Sequence, residues 1–165
     1  MKGIGEVRRF VLESGVDAGI IEFDDEGAAR DSISAAAAAG CSTAEIAKTM
    51  AFECEADRTE GKERRTVLVV LSGDRMVDTT RLANTTGSVS ARKLRPAEVL
   101  RLTGYPVGGV PPFPHDTGIT VLADSSLFRF KYVWASAGAP NAIMKIRPEL
   151  LTAVLGYSAV EVSTQ

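Results

Sequence analysis

Met50-Ala51-Phe52-Glu53-Cys54-Glu55 and Thr66-Val67-Leu68-Val69-Val70-Leu71, separated by the polar segment Asp57 to Arg65, are the stretch that decides the fold. Both runs are short, apolar and charged at their ends, which reads as two strands of an antiparallel hairpin. Just upstream, Ser42-Thr43-Ala44-Glu45 matches a capping box, so a short helix carrying Ile46, Ala47 and Lys48 is expected before the first strand. Downstream, Ser72-Gly73-Asp74-Arg75 turns the chain into Met76-Val77-Asp78, and Arg81 to Thr86 is expected to be helical.

Working outward, Ile4, Val7 and Val11 recur at helical spacing, with Gly15 as a stop signal. Gly19 to Phe23 has the β-branched character of a strand, and Ala28 to Ala39 is a helix by propensity, closed by Gly40. Pro96 suits the first position of a helix that Gly104 ends. Tyr105 to His115 is a Gly/Pro-rich loop. Ile119 to Ala123, Tyr132 to Ala135 and Ala142 to Ile146 are strand candidates; Pro148 opens the last helix, and Ala159 to Val162 is expected to close the sheet. Strands and helices mix without βαβ alternation, so the sequence predicts one α+β domain over residues 1–165.

Composition narrows the function classes. With 165 residues, 45% hydrophobic and 24% charged, the chain can bury a globular core. Its longest apolar stretch, around Thr66 to Ser72, is far short of the ~20 residues of a bilayer span. The N-terminus runs straight into a charged amphipathic segment, without a secretory signal. Two cysteines, Cys41 and Cys54, are too few for a disulfide framework, and a reduced, cytoplasmic setting is the expectation. A formal charge of −2 argues against tight nonspecific nucleic-acid binding. The basic clusters Arg64-Arg65 and Arg92-Lys93-Leu94-Arg95 to Arg101 read as solvated faces.

The chemistry-bearing residues are few. One histidine and no Cys-x-x-Cys exclude the usual zinc sites, so no metal and no cofactor is expected. Gly-x-Ser-x-Gly and the phosphate-binding fingerprints are missing. A Ser-His-Asp triad would need His115, in a Pro-rich loop beside Asp116, where a lone histidine is ordinarily just exposed. Lys48 stands between the apolar pair Ile46-Ala47 and a strand, where a side chain can enter a cleft; a surface lysine at a helix end is the plainer alternative. The loop Tyr105-Pro106-Val107-Gly108-Gly109-Val110-Pro111-Pro112-Phe113 has glycines for close approach and prolines for stiffness. It reads either as a tight turn or as a set of amides able to grip a carbonyl or phosphate oxygen.

Ile46-Ala47-Lys48-Thr49, the Val67 to Leu71 strand, Thr103-Gly104-Tyr105 and Gly108-Gly109-Val110-Pro111-Pro112-Phe113 together resemble the YbaK family, over about Val7 to Val162. That family also supplies the editing domain inserted in bacterial prolyl-tRNA synthetases. The resemblance implies a mixed, largely antiparallel sheet curled into a barrel-like core with flanking helices. It implies hydrolysis of the ester between an amino acid and the terminal adenosine of tRNA. Lys48 matches the family's essential lysine, and Gly108 and Pro112 its Gly-x-x-x-Pro loop. Asn141 stands where many relatives carry a histidine near the amino acid's side chain.

On this reading the amides of Gly108, Gly109 and Val110 hold the carbonyl oxygen, Lys48 fixes the terminal phosphate or ribose, and Pro112 and Asn141 border the substrate. The expected activity is trans-editing deacylation of tRNA carrying alanine, serine or cysteine, with tRNA-Pro as one candidate. The partners are then the CCA end of aminoacyl-tRNA and, as options, a delivering synthetase and a second copy of the chain in a homodimer; no membrane is involved. Two alternatives stay open. One is a noncatalytic module binding the tRNA 3′ end or a nucleotide, and the other a Schiff-base enzyme using Lys48.

Overall fold

The hairpin at the centre of the chain is longer than its apolar runs. In the computed structural model, which describes residues 1–165, β2 (Ile46–Arg58) and β3 (Gly61–Ser72) pair antiparallel along their whole length. The segment expected to connect them is itself strand. Glu55 faces Arg64 and Asp57 faces Lys62 across the ladder, so opposite charges stabilise the pairing where apolar burial ends. Only Thr59 and Glu60 form the turn.

The expected helix at Ile46 to Lys48 is also strand. The capping box is present, with Glu45 accepting from the Ser42 backbone, but it closes a three-residue 3-10 turn, Thr43–Glu45. Tertiary packing overrides propensity here: Ala47 is fully buried, paired with Ser72, and could not reach that place from a helix.

The remaining elements are α1 (Ile4–Ser14), β1 (Ala18–Glu22), α2 (Ser32–Ala39), β4 (Met76–Val77), α3 (Thr79–Thr85), β5 (Ser90–Lys93), α4 (Pro96–Thr103), β6 (Ile119–Ala123), β7 (Val133–Ser136), β8 (Ala142–Ile146), α5 (Pro148–Leu155) and β9 (Ser163–Thr164). The main sheet has the order β1-β8-β7-β2-β3-β6, with β5 also pairing β2, and it curls into a half-barrel. Pairing is antiparallel except at β2–β7 and β3–β6. The β2–β7 seam is only two register pairs long, Ile46 with Trp134 and Ala47 with Ala135.

Strand β3 is buried on both faces, which explains its unbroken apolar run. Leu68 and Val70 join the larger core with Val7, Tyr105, Leu127 and Met144, while Val67, Val69 and Leu71 join a second cluster with Phe52, Leu82 and Val162. Helix α2 begins at Ser32 rather than Ala28, because the Asp31 carboxylate accepts from Ser34 N and caps it there. The end of the chain does not close the main sheet as expected. Ser163–Thr164 pairs with β4 in a separate two-stranded ribbon, and Val160 makes a single bridge to Asp124. The cause is Asp124, whose buried carboxylate accepts from Val162 N at 2.9 Å, Ser163 Oγ at 2.7 Å and Ser126 N at 3.0 Å. Strand β5 lies within the charged Arg92 cluster and was not foreseen; it is a short, charged edge strand.

Candidate active site in a gap of the sheet edge

One edge of β2 is covered by β3, and the other is shared by two strands that do not meet. β7 pairs at Ile46 and Ala47, and β5 pairs from Phe52 to Glu55. Lys48, Thr49 and Met50 lie between, with no strand beside them on that edge. A cavity of about 210 Å³ occupies this gap, walled by those three residues, the loop residues Val107, Gly108 and Val110, the β7 residues Trp134 to Ser136, and Arg30 to Ser32 at the start of α2. A second chamber of about 180 Å³ shares Thr49, Met50, Val107, Gly108 and Val110 and continues toward Ala51, Leu94, Pro96, Val99 and Lys93.

Lys48 is half-buried. Its Nζ donates to the Gly73 carbonyl at 3.3 Å. Burial pushes its pKa down; nearby Asp74 works against this and Lys93 with it. Asp74 is not an ion-pair partner of Lys48, because the Arg129 guanidinium grips it in two hydrogen bonds of 2.8 and 3.2 Å, which holds its carboxyl below the usual range. The cleft therefore contains a partly desolvated cation with no anion of its own.

The loop residues divide. Gly108 and Val110 line the cleft, and their amides make no hydrogen bond within the protein. The Gly108 carbonyl accepts from Ser136 Oγ at 3.2 Å, tying the loop to β7. The Gly109 amide is already used, donating to the Pro106 carbonyl at 2.9 Å, and its Cα packs against Ala139. Pro112 is buried outside this cleft, beside Phe10, Phe113 and His115. Asn141 is outside it too: its Nδ2 donates to the Phe23 carbonyl at 3.0 Å and pins the end of β1. His115 is half-buried rather than exposed, with Nε2 2.7 Å from the Pro111 carbonyl and its ring edge-on to Tyr105.

Two residues that the sequence reading did not single out complete the site. Thr49 Oγ1 is buried and has no partner. Trp134 enters because β7 pairs parallel to β2, a long-range register that no local pattern announces. Arg64 and Arg92 lie on solvated faces as expected, paired with Glu55, Glu53 and Glu98, whereas Arg65 is half-buried and donates to the Thr86 carbonyl, and Lys93 borders the second chamber. No three His, Cys, Asp or Glu side chains gather in a group able to hold a metal ion.

Gly108 has φ +89°, and a Cβ there would lie 2.7 Å from the Arg30 carbonyl oxygen. The Gly108→Ala variant should therefore lose about 1–3 kcal/mol of stability from backbone strain alone. It should also lose activity, as the loop shifts away from β2. The check is a melting curve beside a rate measured per folded molecule. If the rate per folded molecule is unchanged, the loop is only a turn.

The chain belongs to the aminoacyl-tRNA editing domain family, whose model matches residues 26–153. It is 34% identical over 133 residues to the uncharacterized protein YwhH of Bacillus subtilis (strain 168), covering 81% of this chain and 78% of that one. It is 38% identical over 73 residues to the multifunctional Ser/Thr-tRNA deacylase ProXp-y of Escherichia coli (strain K12), a match spanning 44% of each chain. Among solved structures it resembles hypothetical protein APE2540 (TM-score 0.84, 29% identity, 96% of this chain and 99% of that one). It also resembles a proposed trans-editing enzyme for prolyl-tRNA synthetase (TM-score 0.78, 27% identity, 97% and 98% covered). The family thus includes tRNA deacylases. No helix is long and apolar enough to cross a membrane.

Proposed function

We propose that this protein is a trans-editing deacylase that hydrolyses the ester of tRNA mischarged with a small amino acid. The observation that carries this reading is Lys48, an unpaired and partly desolvated cation that shares a cleft of about 210 Å³ with Gly108 and Val110, whose amides have no partner within the protein. The amides of Gly108 and Val110 receive the carbonyl oxygen as it gains negative charge, each such donor being worth ~3 kcal/mol in the transition state. Lys48 holds the terminal phosphate or ribose, so that an attacking water meets a fixed ester. The ester is already activated, so neither a metal nor a protein nucleophile is required. Gly109, Pro112 and Asn141 shape the surrounding backbone instead of touching substrate.

The second, mainly apolar chamber suits the amino acid's side chain. Thr49 lines both chambers, and its Oγ1 is buried without a partner, so a rotation of the side chain would present it to a substrate hydroxyl. The resemblance to a Ser/Thr-tRNA deacylase supports adding threonine to alanine, serine and cysteine as candidate substrates. Thr49→Val should then lower the rate on seryl-tRNA roughly tenfold relative to alanyl-tRNA, the cost of one lost hydrogen bond to a buried group. A panel of mischarged tRNAs followed for amino-acid release tests both statements. Release from none of them would leave the noncatalytic binding module as the correct reading.

The charge of Lys48 also sets a pH dependence. The protonated form is the active one, and burial lowers its pKa from the ordinary 10.5. Activity should be full at neutral pH and fall on the alkaline side earlier than an ordinary lysine would allow. A pH–rate profile flat to pH 10.5 would remove the charge of Lys48 from the mechanism.

A further inference from the structure

On the face of the sheet that carries Lys48, a strip of rings and cations leads away from the cleft. Trp134, already part of the cleft wall, lies beside Ile46 on one side and Lys145 on the other, and Lys145 in turn faces Gly19 on the edge strand. Val133 is fully buried, while Tyr132, just before β7, and Trp134 both lie on the side of Lys145. Lys145 Nζ lies 4.6 Å from the Tyr132 ring centre and 5.4 Å from that of Trp134. Lys131 lies 5.7 Å and Arg147 5.4 Å from the Tyr132 ring, and Arg147 also donates to Tyr132 Oη at 3.3 Å.

These cations are not neutralised elsewhere. Most lysines and arginines of the chain are in ion pairs. Apart from Arg9 and Arg101, those that are not, namely Lys48, Lys93, Lys131, Lys145 and Arg147, all lie at the cleft or on this strip. Asp17 and Glu149 border the same hollow as Lys131 and Arg147 at the far end, so the cation of the strip with no carboxylate beside it is Lys145. Gly19, without a side chain, leaves the edge beside Lys145 open.

We infer that this strip is the track for the single-stranded 3′ end of RNA, with bases stacking on Trp134 and Tyr132 and phosphates passing Lys145 and Lys131. Alternating rings and cations in one line fit a single strand, since every base has a stacking face and every step a phosphate. A duplex would not offer its bases to the rings. The inference rests on the reading that the substrate is a tRNA, and it adds the path by which the strand enters: across β8 and β7, then past Trp134 to Lys48.

Trp134 is the only tryptophan of the chain, so intrinsic fluorescence reports on the strip directly. Uncharged tRNA and a short RNA ending in CCA should both quench it, and tRNA trimmed back to its duplex end should not. Tyr132→Ala and Lys145→Ala should each weaken the binding of the short RNA about tenfold. Lys145→Ala should also reduce the slope of log affinity against log salt by about one. Equal quenching by trimmed tRNA, or unchanged affinity in both variants, overturns the track. Because the probe carries no amino acid, the outcome is separate from catalysis. Quenching as described with no release from any mischarged tRNA keeps the track and ends the hydrolase reading; release that is insensitive to both variants does the reverse.

Discussion

Replacing Lys48 by alanine is expected to lower deacylation of mischarged tRNA roughly 10²–10³-fold, the cost of removing one partner from a partly buried charged contact. The fold should survive. Lys48 makes one 3.3 Å hydrogen bond, and burial of its charge works against stability, as its lowered pKa shows. Lys48→Met, which keeps the aliphatic stem, should melt at or above the wild-type temperature and be equally inactive. Lys48→Arg should rescue poorly, because a planar guanidinium does not fit where a compact ammonium sits beside the Gly73 carbonyl. Near-normal turnover by the alanine variant, measured as amino-acid release under single-turnover conditions, would remove Lys48 from the site.

The largest effect on stability is expected at Asp124. Its carboxylate is fully buried and holds the chain end through Val162 N and Ser163 Oγ while capping the Ser125–Arg129 turn. Asp124→Ala removes those acceptors and leaves two buried amides unpartnered, a loss of about 3–5 kcal/mol. In a domain of this size that lowers Tm by roughly 10 °C. Burial alone would raise the pKa of Asp124, but the hydrogen bonds from Ser126, Val162 and Ser163 outweigh it and hold the carboxyl below its ordinary 3.8. The stabilisation is therefore present above pH 3.8 and is lost as the pH falls through the lower folded value. Thermal melts from pH 5 down to pH 2 should show a steeper fall for the wild type than for Asp124→Asn, which has no charge to lose there. Parallel curves would show that Asp124 does not titrate as described.

Much of this architecture was legible where one local signal decides an element. Pro96 with Gly104, Pro148, and the apolar run Ile119 to Ala123 each mark an element that the structure contains. The reading failed where distant partners decide. Ile46 to Lys48 have a capping box behind them, yet they are strand because β3 and β7 flank them. Asp57 to Arg65 look like a loop until their charges are set opposite one another. At the site, Lys48 and the Gly108 loop were singled out by the resemblance to the family, because locally they read equally as a surface lysine and a tight turn. That Gly109 turns its amide inward and Asn141 spends its amide on Phe23 depends on backbone geometry that spacing does not contain.

The two-pair seam between β2 and β7 also bears on how such a cleft changes over evolution. The opening lies where two blocks of the sheet, β1-β8-β7 and β2-β3-β6 with β5, part company, so its width depends on how closely the blocks are stitched as well as on the residues lining it. Both Ala47 and Ala135 in that stitch are small and fully buried. A bulkier residue at either position would wedge the blocks apart and reshape the opening without touching Lys48 or Gly108. Relatives could in this way drift in substrate size while Lys48 and Gly108 stay in place, and a search for selectivity determinants that scans only the lining would overlook Ala47.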